Sequence, residues 1–280
     1  MHEVKGMKDL RIYQIYYNDE TRRQLDPGFI PLDNTANERP DWYEYEPIRR
    51  LFQSHNFEDE TWVGVFSPKF FQKTGMVSSQ VINAVQESTA EVVSFSPWFG
   101  HIAVYWNIFH QIECHHPGAI VLIDELIKKI GFSEKIIKMP MTAQKTIFCN
   151  YFVAPVKIWR RWFTCFDFVF NLSENKSCKI GLELNYGSGN SKYAGVPLKI
   201  FVCEALMSIV VMQYDLLVDY AAELNVSSLG FDFDNSFENI ELLKILDNMK
   251  LDIDGMSRYD KARKELLAIH YGNSTEDAVV

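Results

Sequence analysis

The sequence predicts an α/β fold: a Rossmann-like mixed sheet flanked by helices, followed by a helical C-terminal extension. Three observations predict it. Short apolar runs of strand length alternate with segments of helical spacing from residue 10 to residue 131. Two of those runs, Trp62-Val63-Gly64-Val65-Phe66 and Glu91-Val92-Val93-Ser94-Phe95, close on Ser-Pro pairs, Ser67-Pro68 and Ser96-Pro97. A buried strand of an α/β sheet delivers polar side chains to a crevice at its carboxyl end in this way. The tail over residues 239–269 reads as amphipathic helix.

The elements follow in order. Residues 10–17 read as a first strand. A Pro- and Asn-rich loop over 25–40 is long for a compact domain and is therefore a candidate ligand-contacting loop. Residues 45–55 have helical spacing, with Ile48, Leu51 and Phe52 on one face. After the strand at 62–66, residues 78–87 form a helix capped by Ser78 or Ser79, and 91–95 a further strand. Helices are expected at 102–113 and 119–130, the second stopped by Gly131. Residues 145–154 continue the sheet, and 156–170 form an aromatic helix whose Trp159, Trp162, Phe163 and Phe166 are spaced as a buried face. A turn-rich loop from Gly187 leads through Gly195 and Pro197 into a helix over 198–217. No repeat, low-complexity stretch or linker divides the chain. It reads as one domain over 1–280, with the sheet core over about 10–215 and the helical extension over about 216–280.

Composition narrows the function classes. At 280 residues the chain is long enough to bury a self-sufficient core. The formal net charge of −9 and the lack of a basic run argue against nucleic-acid binding, so any anionic ligand must be held by a local patch. Charged residues punctuate the longest apolar run near residue 210, which excludes a conventional membrane span, and residues 1–9 lack an apolar signal core. A cytoplasmic protein is expected. Its five cysteines are odd in number and widely spaced, which favours reduced, buried thiols over a disulfide framework or a zinc ribbon.

Four constellations carry chemistry. Lys69 and Lys73, in the turn after the strand at 62–66, suit an anionic group such as a diphosphate; as solvated surface residues they would carry none. His110, Glu113, His115 and His116 are the densest group of metal-capable residues, but their spacing matches no zincin motif and capping of a helix end explains His115 or His116. Glu204 is an isolated carboxylate in a strongly apolar segment, where burial would raise its pKa towards the range of a general base. Alternatively it pairs with a lysine or faces water. Finally, the segment from Gly181 to Ser191 imitates a methyltransferase nucleotide loop, although Gly195 and Pro197 interrupt the helix that should follow.

The chain also resembles sugar transferases of the GT-A type. The resemblance rests on Ile12-Tyr13-Gln14-Ile15-Tyr16-Tyr17, on Asp33-Asn34-Thr35-Ala36-Asn37, on the segment from Trp62 to Gly75 and on Asn150-Tyr151-Phe152-Val153-Ala154. Gln111-Ile112-Glu113 followed by His116-Pro117-Gly118 completes it. It implies a glycosyltransferase that moves a sugar from a nucleotide-diphosphate donor, by preference a UDP-sugar, to a hydroxyl of a glycan acceptor, by preference with inversion. It further implies donor contacts from Tyr16, Tyr17, Asn18, Asp33, Asn34, Asn37, Arg39, Ser67, Lys69, Lys73 and Ser96. Gln111, His116, Asn150 and Tyr193 would touch the acceptor or the sugar. Glu204 would be the base, with Glu113 in reserve. GT-A enzymes carry an Asp-x-Asp at the end of a mid-sheet strand to hold a divalent ion; here the strand at 91–95 ends in Ser96-Pro97-Trp98, and the match by pattern at Asp232-Phe233-Asp234 comes late in the chain. No cofactor is therefore firmly expected, while a divalent Mn or Mg ion stays open. The competing reading is a non-catalytic glycan- or nucleotide-binding module.

Overall fold

The computed structural model describes residues 6–187, 195–221, 237–252 and 255–271. Six strands form one mixed sheet in the order β2-β1-β3-β5-β4-β6: β1 (Leu10–Tyr16), β2 (Ile30–Asp33), β3 (Trp62–Phe66), β4 (Val92–Ser94), β5 (Phe152–Pro155) and β6 (Val218–Tyr220). All neighbours are parallel except β5, which runs antiparallel to both β3 and β4. β3 is buried along its whole length, as its unbroken apolar run requires. Gly64 permits the close approach of β5, because a Cβ there would lie 2.7 Å from Val153 Cγ2.

Alternation along the strands builds two cores. Tyr13, Ile15, Val63, Val65, Phe152 and Ala154 face α2 (Tyr45–Ser54) and α8 (Val156–Glu174), whose Tyr45, Trp159, Trp162 and Phe166 fill that side. The Trp159 indole donates to the Val63 carbonyl at 2.8 Å, so this buried ring also satisfies its own polar atom. On the other face, Ile12, Phe66, Val93, Phe95 and Val153 pack with Val81 and Val85 of α4 (Ser78–Glu87) and Phe70 of α3 (Phe70–Thr74). The outer edge of β2 is blunted: it contains Pro31, and Arg50 Nη2 donates to the Asp33 carbonyl at 3.2 Å.

Several expected boundaries move, each for a local reason. The 25–40 loop contains β2, and α1 (Asp19–Arg23) precedes it, capped by Asn18. The cap of α4 is neither Ser78 nor Ser79. Its first N–H groups are met by Asp26, which accepts from Ser78 N at 2.8 Å, and by Gln80, which accepts from Val77 N at 2.9 Å. The helix expected over 102–113 is two, α5 (Phe99–Ile102) and α6 (Ile108–His115), because Asn107 leaves the helix to cap α6 through His110 N at 2.8 Å. α7 (Ala119–Ile130) follows as expected, ending at Gly131 in the left-handed region. Only the last residues of 145–154 join the sheet, since Cys149 and Asn150 adopt φ of +53° and +54°.

The nucleotide-loop imitation fails: residues from Lys179 form a helix, α9 (Lys179–Leu184), where a strand would be needed. Gly181 lets α9 close on the end of α8, because a Cβ would lie 2.3 Å from the Leu172 carbonyl oxygen. The long helix expected over 198–217 breaks at Ala205 into α10 (Leu198–Glu204) and α11 (Leu206–Tyr214). Asp215, at φ +48°, then turns the chain into β6, so the sheet extends past its expected limit at about 215.

The tail forms α12 (Phe237–Met249) and α13 (Gly255–Tyr271). Three donors from the tail reach three consecutive carbonyls at the end of α5: Lys250 Nζ to Ile102, Tyr259 OH to Ala103 at 2.9 Å and Arg263 Nε to Val104 at 2.6 Å. They satisfy carbonyls that a four-residue helix cannot pair internally. Among the described residues no helix is long and apolar enough to cross a membrane.

Candidate functional site

The strand order reverses around β1: the chain passes from β1 to β2 on one side and to β3 on the other. Ligands of open α/β sheets sit outside the carboxyl ends of the strands at such a point. There, β3 ends in Ser67-Pro68-Lys69 and α3 begins. Phe70 is fully buried and stacks on Phe66 with ring centroids 4.0 Å apart, which locks α3 onto the sheet. One turn later Lys73 points inward. Its Nζ donates to Cys149 Sγ at 3.1 Å and lies 5.8 Å and 5.7 Å from the ring centroids of Trp98 and Tyr151. Because β5 is antiparallel, its start meets the end of β3, and Tyr151 OH reaches Ser67 Oγ at 2.5 Å.

Two carboxylates complete the cluster. Glu204 is the last residue of α10, at the junction with α11. Glu44 immediately precedes α2 and was missed in the sequence. Burial, followed by the charge of Glu44, pushes the Glu204 carboxyl up to about 7 against the pull of Lys73. Burial likewise raises Glu44, while Lys73 and Asn150 oppose the shift. For Lys73 burial works against the charge, but Cys149 and both carboxylates outweigh it and hold the ammonium above its ordinary range. The Cys149 thiol is itself pushed up to about 12, first by burial and then by Glu204. At neutral pH the thiol is therefore uncharged, and the carboxylates are what keep Lys73 protonated. Tyr45 and Tyr151 are raised well above 10 by burial and stay neutral donors.

Asn150 is the unusual member. It is 1% exposed, and both it and Cys149 before it are left-handed, a conformation costing on the order of 1–3 kcal/mol at a non-glycine residue. Its amide faces Glu44 and Tyr45 closely enough to damp the upward shift of both. Neither approach meets hydrogen-bond geometry, and both amide atoms lack a partner among the described residues. A buried, unsatisfied amide costs about 1–3 kcal/mol, which a polar ligand would restore.

The other expected site residues divide into engaged and exposed groups. At the ends of β1 and β2, Asp33 accepts from the Thr35 N–H and hydroxyl, each at 2.8 Å, with the Tyr16 hydroxyl close enough to help lower its pKa. Those hydrogen bonds hold the Asp33 carboxyl below its usual range. Asn18 caps α1 and Asn34 accepts from Arg50 at 2.9 Å. Tyr17, Asn37 and Lys69 are exposed, and Lys69 is not part of the buried cluster. Arg39 is drawn to Asp41 at 3.0 Å and Glu174 at 2.7 Å. Ser96 is fully buried, its Oγ exchanging two 3.0 Å hydrogen bonds with the Phe148 backbone, which leaves no route to a ligand.

On α6, Gln111 is partly buried beside a structural Glu113. The Glu113 carboxylate accepts from Gly118 N and Ile120 N, each at 2.9 Å, and caps α7, so it is not a reserve base in this cluster. His116 is buried and stacks on Phe201 with centroids 3.4 Å apart; burial and then His115 push it down to about 4, opposite to the charged cap expected. His115 Nε2 meets Tyr105 OH at 3.2 Å. Among the described residues no group of three or more His, Cys, Asp or Glu is arranged to hold a metal ion. Tyr193, Asp232 and Asp234 lie outside the described residues.

What sequence reading missed, Glu44, Tyr45, Cys149 and Trp98, has one signal in common. Each stands in a run of aromatic or apolar residues that reads as core, and nothing in Trp42-Tyr43-Glu44-Tyr45-Glu46 tells the inward acid from its neighbours. No family model matches the chain, and neither a curated protein nor a solved structure matches it significantly.

Proposed function

We propose that this protein is a GT-A-like glycosyltransferase that moves a sugar from a nucleotide-diphosphate sugar, by preference a UDP-sugar, to a hydroxyl of a glycan acceptor. The observation that carries this reading is the Lys73 ammonium, kept charged beside Glu44 and Glu204 at the switch point of the sheet. A departing diphosphate needs fixed positive charge, and Lys73 supplies it in a partly desolvated place. Glu204, poised near neutrality, takes the proton of the acceptor hydroxyl as its oxygen attacks the anomeric carbon and the bond to the diphosphate oxygen breaks. Asn150 and Glu44 read sugar hydroxyls, and Ser67 with Tyr151 forms a neutral wall. The ends of β1 and β2, with Tyr16 and Asp33, receive the nucleotide.

The donor set does not favour a divalent ion. Glu44 and Glu204 are both shifted towards their protonated forms, and the Lys73 ammonium stands where a cation would be held. Transfer is therefore expected to survive excess chelator.

The test is a thermal-shift screen of nucleotide sugars, since a specific donor stabilises the folded state by mass action, followed by assay of donor hydrolysis without acceptor. A stabilising donor that is slowly hydrolysed supports transfer. Binding without any hydrolysis or transfer makes the protein a binding module, and the absence of any nucleotide-sugar shift removes the donor.

A further inference from the structure

Lys199 stands at the start of α10 and is fully buried. Its Nζ lies 2.6 Å from Asp41 Oδ2, 3.0 Å from Asn185 Oδ1 and 4.2 Å from the centroid of the Trp42 ring. Asp41 is gripped from the other side by Arg39, whose Nε and Nη2 each reach a carboxylate oxygen at 3.0 Å. Burial opposes the Asp41 charge, yet Arg39 and Lys199 outweigh it and hold the carboxyl down at about 2. A buried cation tied this firmly to a loop does more than close a gap, because of what flanks each end of it.

On the loop side, Trp42 is buried and Tyr43 is forced to φ +51°, ψ −124°, a conformation costly for a non-glycine residue. Glu44 follows at once. On the helix side, α10 carries Lys199 in its first turn and Glu204 as its last residue. A second tie, Tyr45 OH to the Ile200 carbonyl at 3.3 Å, joins the same two segments. The loop that presents one carboxylate is thus stapled to the helix that presents the other, and the strained residue lies between staple and carboxylate.

We infer that the Lys199–Asp41 ion pair is a positioning device: it holds the Tyr43 turn in its strained form and so keeps Glu44 against Glu204 and Lys73. Strain persists only where the surroundings over-determine it, and this pair, with Trp42 under it, is the surrounding that does so. The inference rests on the reading of the Glu44–Glu204 cluster as the functional site. It assigns Lys199 and Asp41 a part in setting the proton affinity of Glu204, which they do not touch.

The groups facing Glu204 are Glu44, Lys73, Cys149, Tyr45 and Tyr151, with Cys203 beside it on α10. Of the carboxylates and cations among them only Glu44 sits on the stapled segment, and its charge is one that raises Glu204. Withdrawing Glu44 must therefore lower the Glu204 titration midpoint. The experiment follows that carboxyl by infrared difference spectroscopy on protein labelled with carbon-13 in its glutamate carboxyls, with Glu204→Gln as the blank, and uses circular dichroism to confirm folding. Expected are a wild-type midpoint near 7, a fall of about one unit in Lys199→Met, a similar fall in Glu44→Gln, and no further fall in the double variant. Asp41→Asn removes the same pair from the loop side and keeps the reading available if Lys199→Met does not fold. An unchanged midpoint in folded Lys199→Met or Asp41→Asn overturns the inference, as does a fall that adds to that of Glu44→Gln. A wild-type Glu204 with no titration near 7 overturns the reading of the cluster, and the inference with it.

Discussion

Two of the lysines sunk beside carboxylates in this molecule, Lys250 and Lys73, form a contrast that separates architecture from chemistry. Lys250, 2% exposed, gives all three of its donors away: to the Ile102 and Met141 carbonyls and to Asp247 Oδ1 at 3.1 Å. Asp247 spends its other oxygen on Ala143 N at 2.9 Å. Every valence is closed, so the pair holds α12 to the body and has nothing left for a ligand. Lys73 has one neutral sulfur partner, two carboxylates with raised pKa values and, next to them, an amide with no partner among the described residues. A fold has no thermodynamic reason to leave a buried amide unmet on a strained backbone; a ligand supplies one.

The largest expected effect tests the open cluster. Glu204→Gln keeps shape but cannot accept a proton, so donor hydrolysis and transfer should fall by about two to four orders of magnitude with donor affinity retained. Stability should move the other way. A carboxyl raised from 4.5 to about 7 on folding favours the fold below pH 4.5, and that contribution is lost as pH rises through 7. Urea unfolding of the wild type should show the decline over that window, and Glu204→Gln should abolish it, leaving the variant more stable at pH 8 by on the order of 2–3 kcal/mol. A Gln variant that is both active and no more stable would make Glu204 an ordinary surface acid.

The closed pair is tested by Lys250→Met, which strands Asp247 and should cost about 3–5 kcal/mol in the same urea assay. Lys73→Met should do the reverse: little change in melting temperature, but about 10- to 100-fold weaker binding of the free nucleoside diphosphate by calorimetry. If both variants lose stability alike, the two lysines are the same kind of object and the contrast collapses. The smallest effect is the most pointed. Asn150→Gly relieves a left-handed backbone and deletes the unmatched amide, so it should raise stability by about 1 kcal/mol while weakening donor binding.

Much of the sheet was legible in the sequence and much of the site was not. β1 and β3 announce themselves because both faces of a central strand must be apolar, and α2 and α8 because the spacing of their apolar residues, aromatic in α8, is that of a buried face. The breaks at Asn107, Cys149 and Asp215 were not legible, because each depends on a side-chain cap or a positive φ that local propensity does not reveal. Glu204 stood out as a charge in apolar surroundings, and Lys73, with Lys69, as a cation in the turn after β3. Glu44 did not, since it lies among Asp41 and Glu46 and only the Tyr43 turn decides which acid faces inward. Ser96 and Glu113 had the right chemistry in the right neighbourhood, and backbone groups claimed them first.

The three donors from the tail to the carbonyls of Ile102, Ala103 and Val104 also bear on the order in which the chain completes itself. The segment they hold begins beside Trp98, which shares the neighbourhood of Lys73. During synthesis β1 to β5 can assemble once α8 has emerged, yet the stretch behind Trp98 keeps unpaired carbonyls until Arg263 leaves the ribosome. A nascent chain of this protein therefore passes through a stage with its sheet formed and the segment behind Trp98 unsupported, and that segment is completed only when α13 docks.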